Sequence, residues 1–280
     1  MKEWRFIDSG NSSPEMNMAI DEAILTAHSE GKVPPTLRFY GWNPASLSIG
    51  YFQKAEEEVN FSELNEKGIG FVRRATGGRA VLHDQELTYS IIINEETPGL
   101  PKTVNEAYKV LSMGLLEGFK ELQLDAKMVN LASEEEKAKY ATAGSAACFD
   151  SPSWYELVVE GRKIAGSAQT RQKGVVLQHG SILLELDVEL LFSLLRFPSE
   201  RVRDRLKASF RDKAVAINDI KRQVGQAPAQ LDELREAFRI GYEKGMDVQL
   251  VESGLTDYEQ QLAEQLVQEK YGNKEWNFRR

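Results

Sequence analysis

Apolar positions along the chain change period several times. After the polar start SGNSSPEMN, the segment MNMAIDEAIL places Met16, Ile20, Ala23 and Ile24 at helical spacing behind Ser13 and Pro14, which predicts a first helix over Met16–Leu25. Thr36–Tyr40 and Ala45–Tyr51 mix β-formers with Gly, Pro and Asn and read as two short strands. A short helix follows over Phe61–Lys67, then a strand over Gly70–Arg73 and an apolar, β-rich run over Leu87–Asn94, the two strands framing a glycine-containing loop. Val104–Leu122 has the period of one long helix, whereas Asn130–Gly144 is polar, rich in Glu, Lys and Ala, and reads as a mobile segment.

Trp154–Val159, Arg162–Thr170 and Val175–Leu184 predict three successive strands, with EGRK and RQKG as the turns of an antiparallel meander. From Asp187 onward the pattern is almost wholly helical, including Leu190–Leu195, Leu231–Lys244 and Asp257–Tyr271. Strands early and helices late predict an α+β fold, a mostly antiparallel or mixed central sheet flanked by helices. Gly225–Pro228 is the best linker, dividing a catalytic domain at 1–224 from a helical C-terminal extension at 225–280 packed on it.

Composition narrows the class. At 280 residues and 41% hydrophobic, the chain has the balance of a globular protein that buries a real core. No apolar run reaches the ~20 residues that span a bilayer, and MKEWRFIDSG lacks a signal-peptide pattern, so a cytoplasmic protein without membrane partners is expected. A net charge of -8 leaves no basic excess for nucleic acid. With one cysteine, no disulfide forms within the chain, and His28, His83, Cys148 and His179 have no metal-ligand spacing.

Candidate chemistry sits in three places. Arg73-Arg74-Ala75-Thr76-Gly77-Gly78-Arg79 leads into Val81-Leu82-His83-Asp84. Adjacent glycines let a backbone come close to a ligand and arginines bind carboxylates or phosphates, so the loop suits an anionic or acylated group; a tight turn with surface arginines is the plainer alternative. Lys163 follows a predicted turn and enters a strand, where an ammonium can face a developing oxyanion, although a lone lysine is by default exposed. Cys148 stands in SAACFDSPSWYEL; by itself such a cysteine is more often a small buried hydrophobe. His83 and Asp84 are adjacent, point apart and do not easily pair with each other, so His83 reads as a pocket wall, and Trp154 and Tyr155 as a site floor.

These motifs carry a family resemblance. RRATGGRAVLHD looks like the RRxxGGGxVxHD signature of the lipoate-protein ligase and biotin-ligase superfamily, except that Arg79 stands where the ATP-using ligases have a third glycine. RRATGGR with VLHDQELTYS is similar instead to the octanoyltransferase LipM family, which uses no ATP. CFDSPSWYEL resembles that family's segment bearing the acyl-accepting cysteine, and GRKIAGSAQ its segment with the lysine that contacts the acyl carbonyl. WRFIDSG, RFPSERVR and EWNFRR extend the likeness over nearly the whole chain.

The resemblance implies a biotin/lipoate-protein ligase-like catalytic domain that needs no cofactor; the chain is expected to act as a monomer without a metal. It further implies transfer of octanoyl from octanoyl acyl-carrier protein to a lysine of the glycine-cleavage H protein. Cys148 would carry the group as a thioester, with Lys163, and His83 behind it, lowering the thiol's pKa from about 8.5. Arg73, Arg74, Thr76, Gly77, Gly78, Arg79, His83, Gly166 and Ala168 would bind substrate. An apolar slot is required as well, since each buried methylene contributes about 0.8 kcal/mol, with Leu87–Ile93, Val72 and Ile164–Ala168 as candidate walls. The rival readings are an ATP-dependent lipoate-protein ligase, an amidotransferase that takes octanoyl from the H protein, and a non-catalytic acyl-binding or regulatory protein on the same fold.

Overall fold

The run Glu86–Asn94, buried along its length except at Asn94, occupies the middle of a mixed sheet. The computed structural model describes residues 2–130 and 155–280. Its strands are β1 (Lys2–Ser12), β2 (Thr36–Trp42), β3 (Ser46–Ile49), β4 (Gly70–Arg73), β5 (Val81–His83), β6 (Glu86–Asn94), β7 (Lys127–Asn130), β8 (Tyr155–Val159), β9 (Arg162–Gln172), β10 (Val175–Leu183) and β11 (Val248–Glu252). The large sheet runs β11-β1-β2-β6-β10-β9-β8-β7, and a small sheet runs β4-β3-β5. β1 pairs parallel with β11 and β2; from β2 to β7 the neighbours are antiparallel.

Alternation along the strands separates two cores. Leu37 and Phe39 of β2, Leu87, Tyr89, Ile91 and Ile93 of β6 and Val176 and Ile182 of β10 face helices α4 (Val104–Leu111), α5 (Met113–Glu121) and α9 (Leu231–Met246). Tyr40, Trp42, Ile92, Val175 and Leu177 face the first helix, α1 (Pro14–Ser29), which is capped by Ser13 and begins at Pro14. The small sheet lies with α2 (Ala55–Glu58), α3 (Phe61–Glu66), α6 (Val188–Ser193) and α7 (Glu200–Lys213) around Leu47, Ile49, Phe192 and Phe210. Each large apolar side chain so buried contributes about 1.5–3 kcal/mol.

Several expectations change. The helix predicted over Val104–Leu122 is two, broken at Ser112, whose buried hydroxyl accepts a hydrogen bond from Gln178 Nε2 at 3.3 Å. The C-terminal third is helical, with α8 (Ile217–Gln223), α10 (Asp257–Leu266), a π turn over Val267–Tyr271 and α11 (Lys274–Asn277), but it also supplies β11. That strand alternates buried Val248 and Leu250 with exposed Gln249, a period-two pattern only five residues long, too short to stand out among helices. Strands β1 and β5 were likewise absent from the periodicity reading. The predicted mobile segment falls mainly outside the described residues, as do Cys148 and Trp154.

Candidate active site

The glycine loop is placed by the small sheet. β4 runs parallel to β3 on one side and β5 antiparallel on the other, so residues 74–80 must cross the end of β3. There the loop lies directly on Gly50: a β-carbon at that position would stand 2.1 Å from the Gly78 carbonyl oxygen. Gly78 itself has φ +96°, open to glycine and strained for other residues. Gly77 is different. Its φ is ordinary, and among the described residues an added β-carbon would meet only the exposed Phe52, at 3.9 Å. Packing among the described residues therefore does not require a glycine at 77, whereas close approach by a ligand would.

The two arginines divide the work of holding this loop. Arg73, fully buried, donates to the carbonyls of Gly50, Tyr51, Gln53, Trp276 and Asn277, and its backbone N–H donates to Asn277 Oδ1 at 2.8 Å. Its guanidinium is thus a strap between loop and C-terminus. Arg74 Nη1 donates to the Ser48 carbonyl at 3.0 Å and hydroxyl at 2.7 Å, while Nη2 donates to the carbonyls of Gly77 and Arg79 at 3.1 and 2.9 Å. Arg79 points outward, 41% exposed, with Nη1 3.7 Å from Glu58.

Two imidazoles back the loop. Burial pushes the His83 pKa below its usual value despite Glu86, so the ring is neutral near pH 7. With one N–H available, Nδ1 donates to Glu86 Oε1 at 3.0 Å and Nε2 accepts the Ser48 hydroxyl at 2.7 Å; that oxygen in turn accepts from Arg74. Glu86 also accepts from the Thr88 hydroxyl, which accepts Trp42 Nε1–H at 2.8 Å, and the Trp42 ring stacks on His83 at 4.0 Å. The second chain is Asp21, His179 and Thr76. His179 Nδ1 lies 3.4 Å from Asp21, and Nε2 hydrogen-bonds with Thr76 Oγ1 at 2.7 Å. Burial would raise the Asp21 pKa, but Arg38, His179 and the Ser90 hydroxyl outweigh it and hold the carboxyl below its usual range. Each hydroxyl beside the loop therefore bonds to an imidazole that a buried carboxylate orients.

Between the two relays lies a largely apolar pocket of about 30 Å³, lined by Met18, Tyr40, Trp42, Arg74, Val81, His83, Thr88, Gly166, Ser167, Ala168, His179, Gly180 and Ser181. That is room for about one water. Lys163 is on the same strand as Gly166, buried, with Nζ 2.9 Å from Glu156 Oε2 and 3.1 Å from Oε1. Because Leu157 and Val159 of β8 enter the helix-side core, Glu156 and the Lys163 ammonium take the opposite face.

Of the residues expected to bind substrate, the structure gathers Arg74, His83, Gly166 and Ala168 around one pocket, with Thr76 bonded to its wall. Arg73 does not reach it, because its guanidinium is enclosed by carbonyls. Lys163 lies three residues from Gly166 along β9, outside the lining. The apolar candidates for the slot are mostly elsewhere: Leu87, Ile91, Ile93 and Ile164 belong to the helix-side core and Val72 and Ile92 to the α1 core. Asp21, Ser48, Glu86, Glu156 and His179 were not singled out as site residues. A signal existed for Asp21, which interrupts the apolar side of α1, and for the partners Arg38, Thr88 and Ser90, polar residues at alternate positions of apolar strands. Among the described residues no three His, Cys, Asp or Glu side chains are grouped to hold a metal.

Comparison with known proteins places this geometry. The lipoyl protein ligase A/B catalytic domain matches residues 13–239. The octanoyltransferase LipM of Brevibacillus brevis is 64% identical over 280 residues, 100% of each chain. The chain belongs to the octanoyltransferase LipM family. A second LipM, from Bacillus subtilis, is 56% identical over 278 residues, covering 99% of this chain and 98% of that one. Among solved structures, a bipartite lipoate protein ligase from Thermoplasma acidophilum has a TM-score of 0.81 at 28% identity, over 99% of this chain and 97% of its own. The fold is thus that of the lipoate-protein ligases. The pocket and both relays fall inside the matched domain, while β11 and the Asn277 strap lie beyond it, on LipM sequence that the full-length relatives share.

Proposed function

We propose that this chain transfers an octanoyl group from a carrier-bound thioester to a lysine side chain of a lipoyl-accepting protein, the donor being octanoyl acyl-carrier protein and the acceptor the glycine-cleavage H protein. The observation that supports it most is 64% identity to an octanoyltransferase over the whole of both chains, joined to a glycine loop beside a small, largely apolar pocket. In this reading Cys148 attacks the donor carbonyl; a carbon–sulfur bond forms to Cys148, the donor's breaks, and the carrier thiol leaves with the proton. The acceptor amine then attacks the acyl-enzyme, the carbon–nitrogen bond replaces the bond to Cys148, and the amine proton returns to the thiol. Thioester exchange is nearly neutral and amide formation is downhill, so no ATP is consumed.

Arg74, Thr76 and the glycines present backbone groups to the acyl carbonyl, Gly77 leaving space for it. Lys163, oriented by Glu156, supplies the cation that stabilises the thiolate and the oxyanion. The pocket widens to take the eight-carbon chain, and Met18, unbranched and adaptable, is the wall best suited to move. The test is acylation of H protein with two donors. Octanoyl acyl-carrier protein without nucleotide should give the octanoyl-lysine product, and free octanoate with MgATP should not. The reverse outcome would make the protein a ligase.

A further inference from the structure

Beside the pocket, sharing Val81 with it, runs an open groove of about 970 Å³ that Glu86 also lines, behind the pocket residues His83 and Thr88. Its inner end reaches the strand that carries Lys163: Arg162 lines it, and so does Ala214, which bridges to Lys163, with the Val215 N–H donating to the Lys163 carbonyl at 2.9 Å. The groove therefore leads from solvent to the shared wall of pocket and lysine.

Its charge is lopsided. The three guanidiniums that line it are each held by carboxylates: Arg162 by Glu160, Arg211 by Glu189, and Arg222 by Glu185 and Asp219. Asp84 has no such partner, making no hydrogen bond or ion pair among the described residues. Partial desolvation first, and then the charges of Asp187 and Glu86, push its carboxyl above the usual range. Glu86 is 3% exposed, and while Oε1 is bonded to His83 and Thr88, Oε2 is buried without a hydrogen-bond partner among the described residues. A buried carboxylate oxygen left in this state is costly unless a donor arrives to fill it.

We infer that this groove receives the acceptor's lysine side chain, ammonium first, with Asp84 drawing the charge in and Glu86 Oε2 taking a hydrogen bond from the nitrogen at the wall of the acyl pocket. A carrier's phosphate would meet these carboxylates with repulsion, so the groove serves the second substrate and not the first. The inference rests on the transfer reading above.

Acyl-enzyme prepared from the full chain is separated from donor and offered either H protein or hydroxylamine, a nucleophile that is neutral near pH 7.5. In Asp84→Asn and, separately, Glu86→Gln, the ratio of the lysine rate to the hydroxylamine rate should fall about tenfold, the first losing an attracting charge and the second a charge-assisted hydrogen bond. The KM for H protein should rise with weaker salt dependence. Asp84 is solvent-facing, so its variant folds even if the Glu86 variant does not. An unchanged ratio in Asp84→Asn overturns the assignment. Failure of the unaltered chain to form any acyl-enzyme overturns the transfer reading, and the assignment with it.

Discussion

At the scale of residues, the polar groups around the glycine loop do two distinct jobs. Arg73 and Arg74 are adjacent and look equivalent in sequence, yet one is sealed against five carbonyls and the other borders the pocket. Replacing Arg73 by Met leaves those buried carbonyls without donors, so Arg73→Met should lower unfolding stability by about 3 kcal/mol or more. Urea unfolding measures this; unaltered stability together with lost donor binding would return Arg73 to the substrate site. Sequence reading reached Arg74, His83, Gly166 and Ala168 through motif resemblance. It did not reach Asp21, Glu86, Glu156 or His179, because partners from α1, β6, β8 and β10 become neighbours only when the sheet assembles.

At the scale of elements, periodicity located most helices and the meander β8, β9 and β10 to within a few residues, because their apolar positions are regular and their turns carry EGRK and RQKG. It failed where pairing partners are remote. β1 and β11 are joined across almost the whole chain, and the three-residue β5 has too few positions to show a period. The packing of α5 on α9 makes a sharper point about composition. Gly114 and Gly118 meet Gly241 and Gly245, and a β-carbon on Gly241 would fall 2.3 Å from the Gly118 backbone nitrogen. The helices touch through their backbones. Gly241→Ala should therefore cost about 2–3 kcal/mol, whereas Gly254→Ala, with no described residue within 4 Å of its added carbon, should stay within about 0.5 kcal/mol of the unaltered chain. Equal unfolding curves for the two variants would contradict this close helix contact.

At the scale of the whole molecule, burial of titratable groups ties stability to pH. His83 and His28 are both pushed below the usual imidazole value, in each case first by burial. A histidine with a depressed folded pKa binds fewer protons folded than unfolded, so its contribution is complete above the unfolded value of about 6.5 and is lost as pH falls. Asp21 and Glu259 follow at lower pH. Burial would raise both, but Arg38 and His179 at one and Arg5 and Thr256 at the other hold them low, so their stabilisation is lost as pH drops through the acidic carboxylate range. Thermal unfolding should show a Tm flat near and above pH 7, falling toward pH 5 and more steeply below about pH 4. A Tm that rises between pH 7 and 5 would contradict the neutral, buried state of His83.

The central claim is that the octanoyl group passes through a thioester on Cys148. Intact mass measurement of the full chain after mixing with octanoyl acyl-carrier protein, without ATP or acceptor, tests it most directly. The account predicts a gain of one octanoyl group, released by hydroxylamine, mapped to the Cys148 peptide and absent in Cys148→Ser. An adduct that persists in Cys148→Ser, or product formation on H protein by that variant at the unaltered rate, would contradict it.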